Sequence, residues 1–398
     1  MNRWLALLLL AAPAAVIAEA LHASPLLTFV LAALGIVPLA GLIGQSTEVL
    51  AEHLGQRIGG LLNATFGNAA EIIIGLTALA AGLPQVVQAS LAGSIIGNVL
   101  LVLGTAMLIG GWRYRQQQFQ PRVAGQYAAM LVLAVIGLAI PTLLATIGES
   151  TRPGAIVVRG FELHELSIGV AIILLVCYAA YIAYTVFGLR ASREDMLSIS
   201  ASRLENDAGG MQDIVHTKAP EGKVAVRQLG EGRNPFTLLS KWWKTTLWFP
   251  IAALAAATAV TAVISEVLVS TIEPLTHQIG LSPFFVGLII LPIVGNAAEH
   301  FSAISSANHN HMEITMAITS GSSIQIALLA APILVLFGAV IGVPLDLNFP
   351  LFEVVLFAMA AALFALISLD GESTWLEGLL LCAFYLILAV STFFTPIS

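Results

Sequence analysis

Long apolar stretches recur along almost the whole chain and are separated by short polar or glycine-containing turns. A helix rises 1.5 Å per residue, so about 20 apolar residues cross a hydrocarbon core of ~30 Å. These stretches are too uniformly apolar for the alternating strands of a barrel, and a helix satisfies its own backbone groups in lipid. The pattern predicts eleven transmembrane helices, at about 4–20, 25–43, 59–82, 84–111, 123–146, 164–188, 246–270, 281–307, 312–340, 349–369 and 374–396.

Polar segments divide this pattern. Residues 46–58 are predicted to form a short amphipathic helix beside the membrane, and 189–245 is the one sizeable polar linker. The first stretch ends in Ala-Glu-Ala at 18–20 and resembles a cleavable signal peptide, but the next span follows almost at once, which favours a retained helix. The predicted organisation is an extra N-terminal helix, a five-helix repeat, a cytoplasmic linker and a second five-helix repeat, at 1–24, 25–188, 189–245 and 246–398.

Composition agrees with a membrane protein and excludes one class of partner. The chain is 58% hydrophobic and 10% charged, whereas soluble domains carry about 25% charged residues. Its 16 basic and 23 acidic residues give a net charge of -7, so no basic face exists for nucleic acid. Cys177 and Cys382 lie far apart inside apolar stretches and are interpreted as core residues.

The distribution of lysine and arginine predicts the orientation. With the N-terminus inside, fourteen of the 16 basic residues fall on inner loops, and Arg152 and Arg159 remain outside. The positive-inside rule therefore places the N-terminus in the cytoplasm and the C-terminus outside, in what we expect to be a prokaryotic inner membrane. Beyond Lys244 the chain has no lysine or arginine, so the second half is oriented by counting spans.

An internal repeat is the strongest signal in the sequence. Gly-Asn-Ala-Ala-Glu occurs at 67–71 and again at 295–299, an offset of 228, and the same offset pairs Gly-Ser at 93–94 with Gly-Ser at 321–322. Because each half contains five spans, an odd number, the second half must enter the membrane with opposite polarity. This is the inverted-repeat architecture of many secondary transporters.

The two repeated glutamates, Glu71 and Glu299, fall near the middle of their predicted spans. An ionised side chain there costs at least ~2.5–3.5 kcal/mol, and neither span contains lysine or arginine. A single such residue could be a protonated carboxyl that bonds a neighbouring helix. Two glutamates at the same position of two inverted halves favour a site that binds a cation or protons.

The residues around each glutamate are typical of an oxygen-rich cation site. The i, i+3 spacing sets Asn68 beside Glu71 and Asn296 beside Glu299, and calcium prefers six to eight oxygen ligands. Small residues could let the helix loosen and free backbone carbonyls near Gly67 and Gly295, and Pro292 would encourage this in the second copy. Hydroxyl and amide groups on the following spans are candidate supporting residues: Ser94, Asn98, Ser322 and Gln325.

Two carboxylates in a low dielectric also explain coupling. If both are ionised and unliganded they repel, so Glu71 and Glu299 are expected to bind either protons or calcium. An unloaded, doubly negative site is costly to carry between inward-open and outward-open states. The sequence therefore predicts an antiporter that exchanges protons for a cation, with calcium as the candidate substrate, by alternating access in a lipid bilayer and without a cofactor.

The motifs also resemble a known family. GNAAE in both halves, LLNATFGNAAE at 61–71, ILPIVGNAAEH at 290–300 and GSSIQIAL at 321–328 are similar to the calcium/proton exchanger branch of the calcium/cation antiporter superfamily. The resemblance implies an extra first helix, two inverted five-helix repeats and calcium bound between Glu71 and Glu299. The longer motif of sodium/calcium exchangers, which ends in Pro-Glu, is absent.

Other functions stay open at this point. A sodium or potassium/proton antiporter could use the same scaffold, because glutamate pairs also bind monovalent ions. An intramembrane protease is a weaker alternative, based on Ser-Gly-Ser-Ser at 320–323 and on three nearby histidines, His300, His309 and His311. The sequence leaves the stoichiometry and the oligomeric state open, a homo-oligomer included.

Overall fold

The computed structural model describes residues 7–54, 61–62, 65–149, 160–184 and 247–394. Within these residues the chain forms twelve helices and one two-stranded ribbon. In chain order they are α1 Ala11–Ala20, α2 Pro25–Leu54, α3 Ala69–Ala80, α4 Pro84–Tyr114, β1 Gln116–Gln118, α5 Pro121–Glu149, α6 Gly160–Ala183, α7 Trp248–Ile279, α8 Pro283–Gly295, α9 Ala297–Asn308, α10 Met312–Ile341, α11 Leu351–Ile367, β2 Glu372–Thr374 and α12 Trp375–Phe393.

The helices agree with an all-α membrane protein. Seven are long and apolar enough to cross a bilayer, or eight if α8 and α9 form one bent span. Three shorter apolar helices, α1, α3 and α11, fall inside further predicted spans. The helical membrane class is confirmed by these elements, and the count of eleven spans stays a prediction.

One predicted boundary is wrong. The sequence suggested a span at 25–43 and a separate amphipathic helix at 46–58, but α2 runs without interruption from Pro25 to Leu54. Ser46 and Thr47 donate hydrogen bonds to the carbonyls of the preceding turn, at 2.7 and 2.8 Å, so these polar residues are satisfied inside the helix and do not end it. Residues 55–58, like the predicted linker at 189–245, lie outside the described residues.

α4 and α10 share an irregularity at the same repeat position. Each contains a five-residue π-helical turn, at Asn98–Val102 in α4 and at Ile326–Ala330 in α10. The two turns are separated by the same offset, 228, that relates the sequence motifs. A π turn widens a helix locally and often occurs at functional sites. Most of α4 is also buried by neighbouring helices.

The backbones of α4 and α8 approach each other closely. A Cβ atom added to Gly93 would collide with the carbonyl oxygen of Leu288, and one added to Gly287 would lie 2.8 Å from the Cβ of Ala89. Small residues allow this contact in membrane helices, where packing drives association. The crossing brings α4 against the helix that leads into the second repeated motif.

At both ends of the helix bundle, segments between the helices form hydrogen bonds with neighbouring elements. At the end that we call the ribbon end, β1 and β2 pair antiparallel, with Gln117 opposite Ser373. Gln117 is buried and donates hydrogen bonds to the carbonyl of Ala307, at 2.8 Å, and to Oδ1 of Asn310, at 3.1 Å. The turn that follows α9 is therefore held to β1, which comes directly after α4.

At the opposite end, which we call the cap end, residues 342–350 form a segment that lies across three helices. Gln88 of α4 donates to the carbonyl of Asp346 at 2.6 Å, and Thr142 of α5 donates to the carbonyl of Leu347 at 3.1 Å. The amide of Leu347 donates to the hydroxyl of Ser167 of α6 at 3.0 Å. This cap segment therefore links α10 and α11 to α4, α5 and α6.

Candidate cation-binding site

Both repeated motifs interrupt a helix. α8 ends at Gly295 and α9 begins at Ala297, and the two helices are bent by 60°. In the first copy residues 67–68 form a turn and α3 begins at Ala69. The helix interruptions expected near Gly67 and Gly295 are observed, and backbone carbonyls as ligands stay a prediction. Each break places its asparagine just before a helix and its glutamate in the first turn of that helix, where the positive helix end favours negative charge.

Hydrogen bonds cross from each motif to the serine of the other half. Asn296 donates through Nδ2 to the hydroxyl of Ser94 at 3.0 Å, and Ser322 donates to Oδ1 of Asn68 at 2.9 Å. All four side chains are buried. Because the two bonds join residues related by the same sequence offset, they form a near-symmetric pair at the centre of the bundle.

Two further amides complete this network without a symmetric partner. Asn98 donates to the hydroxyl of Ser322 at 2.9 Å, and Asn68 donates to Oε1 of Gln325 at 2.6 Å. The positions related by the repeat offset are Ile326 and Gly97, which have no polar side chain. The structure thus brings together the polar residues that the sequence analysis identified. Their hydrogen bonds are less symmetric than the two sequence motifs.

The carboxyl of Glu71 lies against the second motif. A Cβ atom added to Gly295 would be 3.2 Å from Cγ and 3.7 Å from Cδ of Glu71. Glu71 and Glu299 also lie close enough for their charges to interact. The described residues offer no hydrogen-bond partner to either carboxylate oxygen of Glu71 or to Oε2 of Glu299, although these atoms are buried. Gly67 is half-buried beside Asn68.

These unpartnered oxygens define what the site can do chemically. A buried carboxylate without a partner is unstable, so it must be neutralised by a proton or a bound cation. Oδ1 of Asn98 is a further buried oxygen without a partner in the described region. The same region contains no cluster of three or more His, Cys, Asp or Glu residues that could hold a metal. A cation here would be bound by two carboxylates together with amide, hydroxyl and backbone oxygens.

The three histidines proposed for an enzyme site do not form one. His309 and His311 are exposed at the ribbon end, and Nδ1 of His309 is hydrogen-bonded to the carbonyl of Ser305 at 2.7 Å. His300 is half-buried and follows Glu299 directly. The turn expected at 307–312 is observed there, between α9 and α10.

The sequence analysis missed one buried carboxyl. Glu353 lies in the first turn of α11 and is fully buried, yet it belongs to no repeated motif. The position 228 residues earlier is Gly125, so the internal repeat gave no signal. A single glutamate within an apolar stretch was the signal that could have identified it.

The structure has apolar helices of membrane-spanning length, and they surround two interrupted helices whose polar side chains are hydrogen-bonded across the two halves. This combination is typical of a polytopic secondary transporter. Residues 24–187 and 249–394 match the family model described as sodium/calcium exchanger protein. The chain belongs to this family.

Similar proteins of known name cover nearly the whole chain. The Ca(2+)/H(+) antiporter of Aphanothece halophytica is 39% identical over 394 residues, which are 98% of this chain and 96% of that protein. The Ca(2+)/H(+) antiporter of Synechocystis sp. is 40% identical over 92% of this chain and 91% of that protein. The solved structure of native YfkE is 33% identical, covers 99% of this chain and 100% of that chain, and has a TM-score of 0.75.

The Ser322 hydroxyl bonds both Asn68 and Asn98, and removing it is expected to reduce the stability of the protein. Ser322→Ala leaves Asn68 and Asn98 each without one partner, which should destabilise the protein by about 1–2 kcal/mol. Ser320→Ala is the matched control, because the Ser320 hydroxyl bonds the Met316 carbonyl of its own helix. Thermal unfolding in detergent measures both variants. Equal melting temperatures would contradict the role of Ser322.

Proposed function

We propose that this chain exchanges calcium for protons across a membrane by alternating access. The observation that carries the proposal is the position of Glu71. Its buried, unpartnered carboxylate lies on Gly295 of the second motif and within electrostatic range of Glu299. Two acids from different halves thereby share one oxygen-rich region. Calcium/proton exchange is also the activity in the names of the relatives from Aphanothece halophytica and Synechocystis sp..

In this proposal the two glutamates bind calcium and protons in competition. With calcium bound, both carboxylates are ionised and the cation neutralises them. Without calcium, protons reduce their repulsion, so the carrier changes conformation only when loaded. Asn68 and Asn296, with the backbone at Gly67 and Gly295, would supply further oxygens. Four residues would hold these asparagines in place or contribute ligands: Ser94, Asn98, Ser322 and Gln325.

We further propose the architecture that the motifs predict, eleven spans in an extra helix and two inverted repeats. The crossed Asn–Ser bonds and the π turns at one offset support a two-fold relation between the halves. Under the predicted topology the N-terminus and the ribbon end are cytoplasmic, and the C-terminus and the cap end are outside. The polar linker at 189–245 would join the two repeats.

The chain is a transporter and not an enzyme, as its antiporter relatives indicate. The serines considered for a protease have other partners. Ser320 and Ser323 donate to carbonyls of the preceding turn, and Ser322 donates to Asn68. We propose calcium as the transported substrate, with no cofactor, and leave the oligomeric state open.

Exchange in proteoliposomes tests the function against the monovalent alternative. An imposed pH gradient should drive calcium uptake, and calcium added without a gradient should move protons in the opposite direction. Sodium or potassium at the same concentration should produce little proton movement, because a site with two carboxylates balances a divalent charge. Proton movement with sodium and none with calcium would establish the alternative.

A further inference from the structure

Glu353 is a buried acid that the proposed calcium site does not use. Its residue is 0% exposed, and neither carboxylate oxygen has a hydrogen-bond partner in the part of the chain that the structure describes. An ionised carboxylate in that state would lose its hydration with no compensating bond, at a cost of several kcal/mol. The side chain therefore carries a proton in the conformation shown.

Among the residues that the structure describes, the helices packed against Glu353 provide no cation to replace that proton. α11 packs chiefly against α5 and α4. The titratable side chains described on those two helices lie toward the ribbon end: Arg113, Tyr114, Arg122 and Tyr127. Arg122 and Thr142 are 20 residues apart on α5, about 30 Å along the helix, and Thr142 bonds the cap segment. The basic groups of α4 and α5 are thus remote from Glu353.

Four titratable side chains are described on the cap segment and on the start of α6. His164 of α6 and Asp346 of the cap segment are hydrogen-bonded, with 2.9 Å between Nδ1 and Oδ1. Glu162 and Glu165 lie on the same first turns of α6 and are exposed. Glu353 differs from these four residues because its side chain is fully buried, whereas theirs are partly or fully exposed to solvent.

Glu353 is positioned directly beneath the cap segment. Its backbone amide donates to the carbonyl of Pro350, the last residue of that segment, at 2.8 Å. The cap segment is held by hydrogen bonds from Gln88 and Thr142 and to Ser167. If those bonds open, water reaches the first turn of α11. The ionised form of Glu353 would then be stabilised by hydration and by the positive N-terminal end of the helix.

One helix connects this acid to the calcium site. α4 carries Gln88, which bonds the cap segment, and Ser94, which bonds Asn296. The two residues are six positions apart, about 9 Å along the helix. A rearrangement of the cap segment can therefore change the position of Ser94 without any contact between Glu353 and the cargo.

We propose that Glu353 is a third proton-binding residue of the exchange cycle, protonated while the cap segment is in place and deprotonated when the cap end opens. In the opening step the carboxyl O–H bond breaks, the proton passes to water at the cap end, and the carboxylate remains on the protein. The proton returns from water when the segment closes. Glu353 is a positioning residue in this scheme, which rests on the proposed function.

Infrared difference spectroscopy tests proton binding without transport. In a Glu71→Gln, Glu299→Gln background, the carbonyl stretch of a protonated buried carboxyl should remain, and adding Glu353→Gln should remove it. Adding Glu165→Gln is the matched control, because Glu165 is an exposed acid at the same end. The band should then be unchanged. A band that persists in E353Q would overturn the proposal.

Transport tests the role in the cycle. E353Q cannot release a proton, so it should slow calcium/proton exchange about tenfold and weaken its dependence on pH at the cap-end face. E165Q should behave as wild type, and E353M replaces E353Q if the glutamine variant does not fold. Wild-type rate and pH dependence in the folded variant would overturn the proposal. If E353Q removes the infrared band but the wild-type protein exchanges no calcium, proton binding by Glu353 stands and only the proposed function is refuted.

Discussion

Glu71→Gln and Glu299→Gln are each expected to reduce calcium/proton exchange by at least about a hundredfold. Removing one charge from a buried set of opposite charges costs roughly 3 kcal/mol, and each 1.4 kcal/mol changes an equilibrium tenfold. Glutamine keeps the shape and an oxygen, but it cannot take up and release a proton. Initial rates of calcium uptake in proteoliposomes under an imposed pH gradient measure the loss.

Two controls separate charge from folding. Glu165→Gln removes an exposed acid at the cap end and should transport at the wild-type rate. Glu71→Asp keeps the charge but withdraws it from Gly295, so it should retain more activity than the glutamine variant. Normal exchange by either glutamine variant would show that the two acids do not carry the chemistry.

The internal repeat explains how much of the site could be predicted. Two identical pentapeptides and a Gly-Ser pair at one offset indicated which residues should meet, and the structure joins Asn68 to Ser322 and Asn296 to Ser94. The hydrogen bonds are crossed between halves, a consequence of the way that α4 and α10 pass the broken helices. Sequence spacing defines neighbours on one helix, whereas these contacts depend on packing between helices.

Features without a repeat partner were harder to predict. Asn98 and Gln325 were candidates because they are polar residues in apolar spans, but their bonds to Ser322 and Asn68 break the symmetry of the motifs. Glu353 had no motif at all, and its importance depends on burial that only the fold reveals. The π turns of α4 and α10 were also not predicted, although Gly97 directly precedes the first and Pro332 follows the second by two residues.

The continuity of α2 illustrates a different limit. A change from apolar to polar residues near 44–46 was interpreted as the end of a span, but side-chain hydroxyls can bond the carbonyls of the preceding turn within one helix. Hydropathy therefore estimates which residues contact lipid. The end of a helix depends on backbone hydrogen bonds, and hydropathy does not report these.

Substitution of Gly93 is expected to have the largest effect on folding. In Gly93→Ala the new methyl group would collide with the Leu288 carbonyl and lie 2.6 Å from Cγ of Pro292. α4 and α8 must then separate, which should destabilise the protein by about 3 kcal/mol and lengthen the bond between Ser94 and Asn296. The melting temperature in detergent and the yield of monodisperse protein measure this loss.

The repeat supplies a matched control for that variant. Gly321 is the glycine equivalent to Gly93 in the second half, and a Cβ atom added there would meet no neighbouring atom within 4 Å. Gly321→Ala should therefore be neutral or stabilising by up to about 1 kcal/mol, since alanine favours a helix more than glycine does. If both variants lose the same stability, glycine matters through helix propensity alone. If only Gly93→Ala loses stability, the close contact of α4 with α8 holds Ser94 against the second motif.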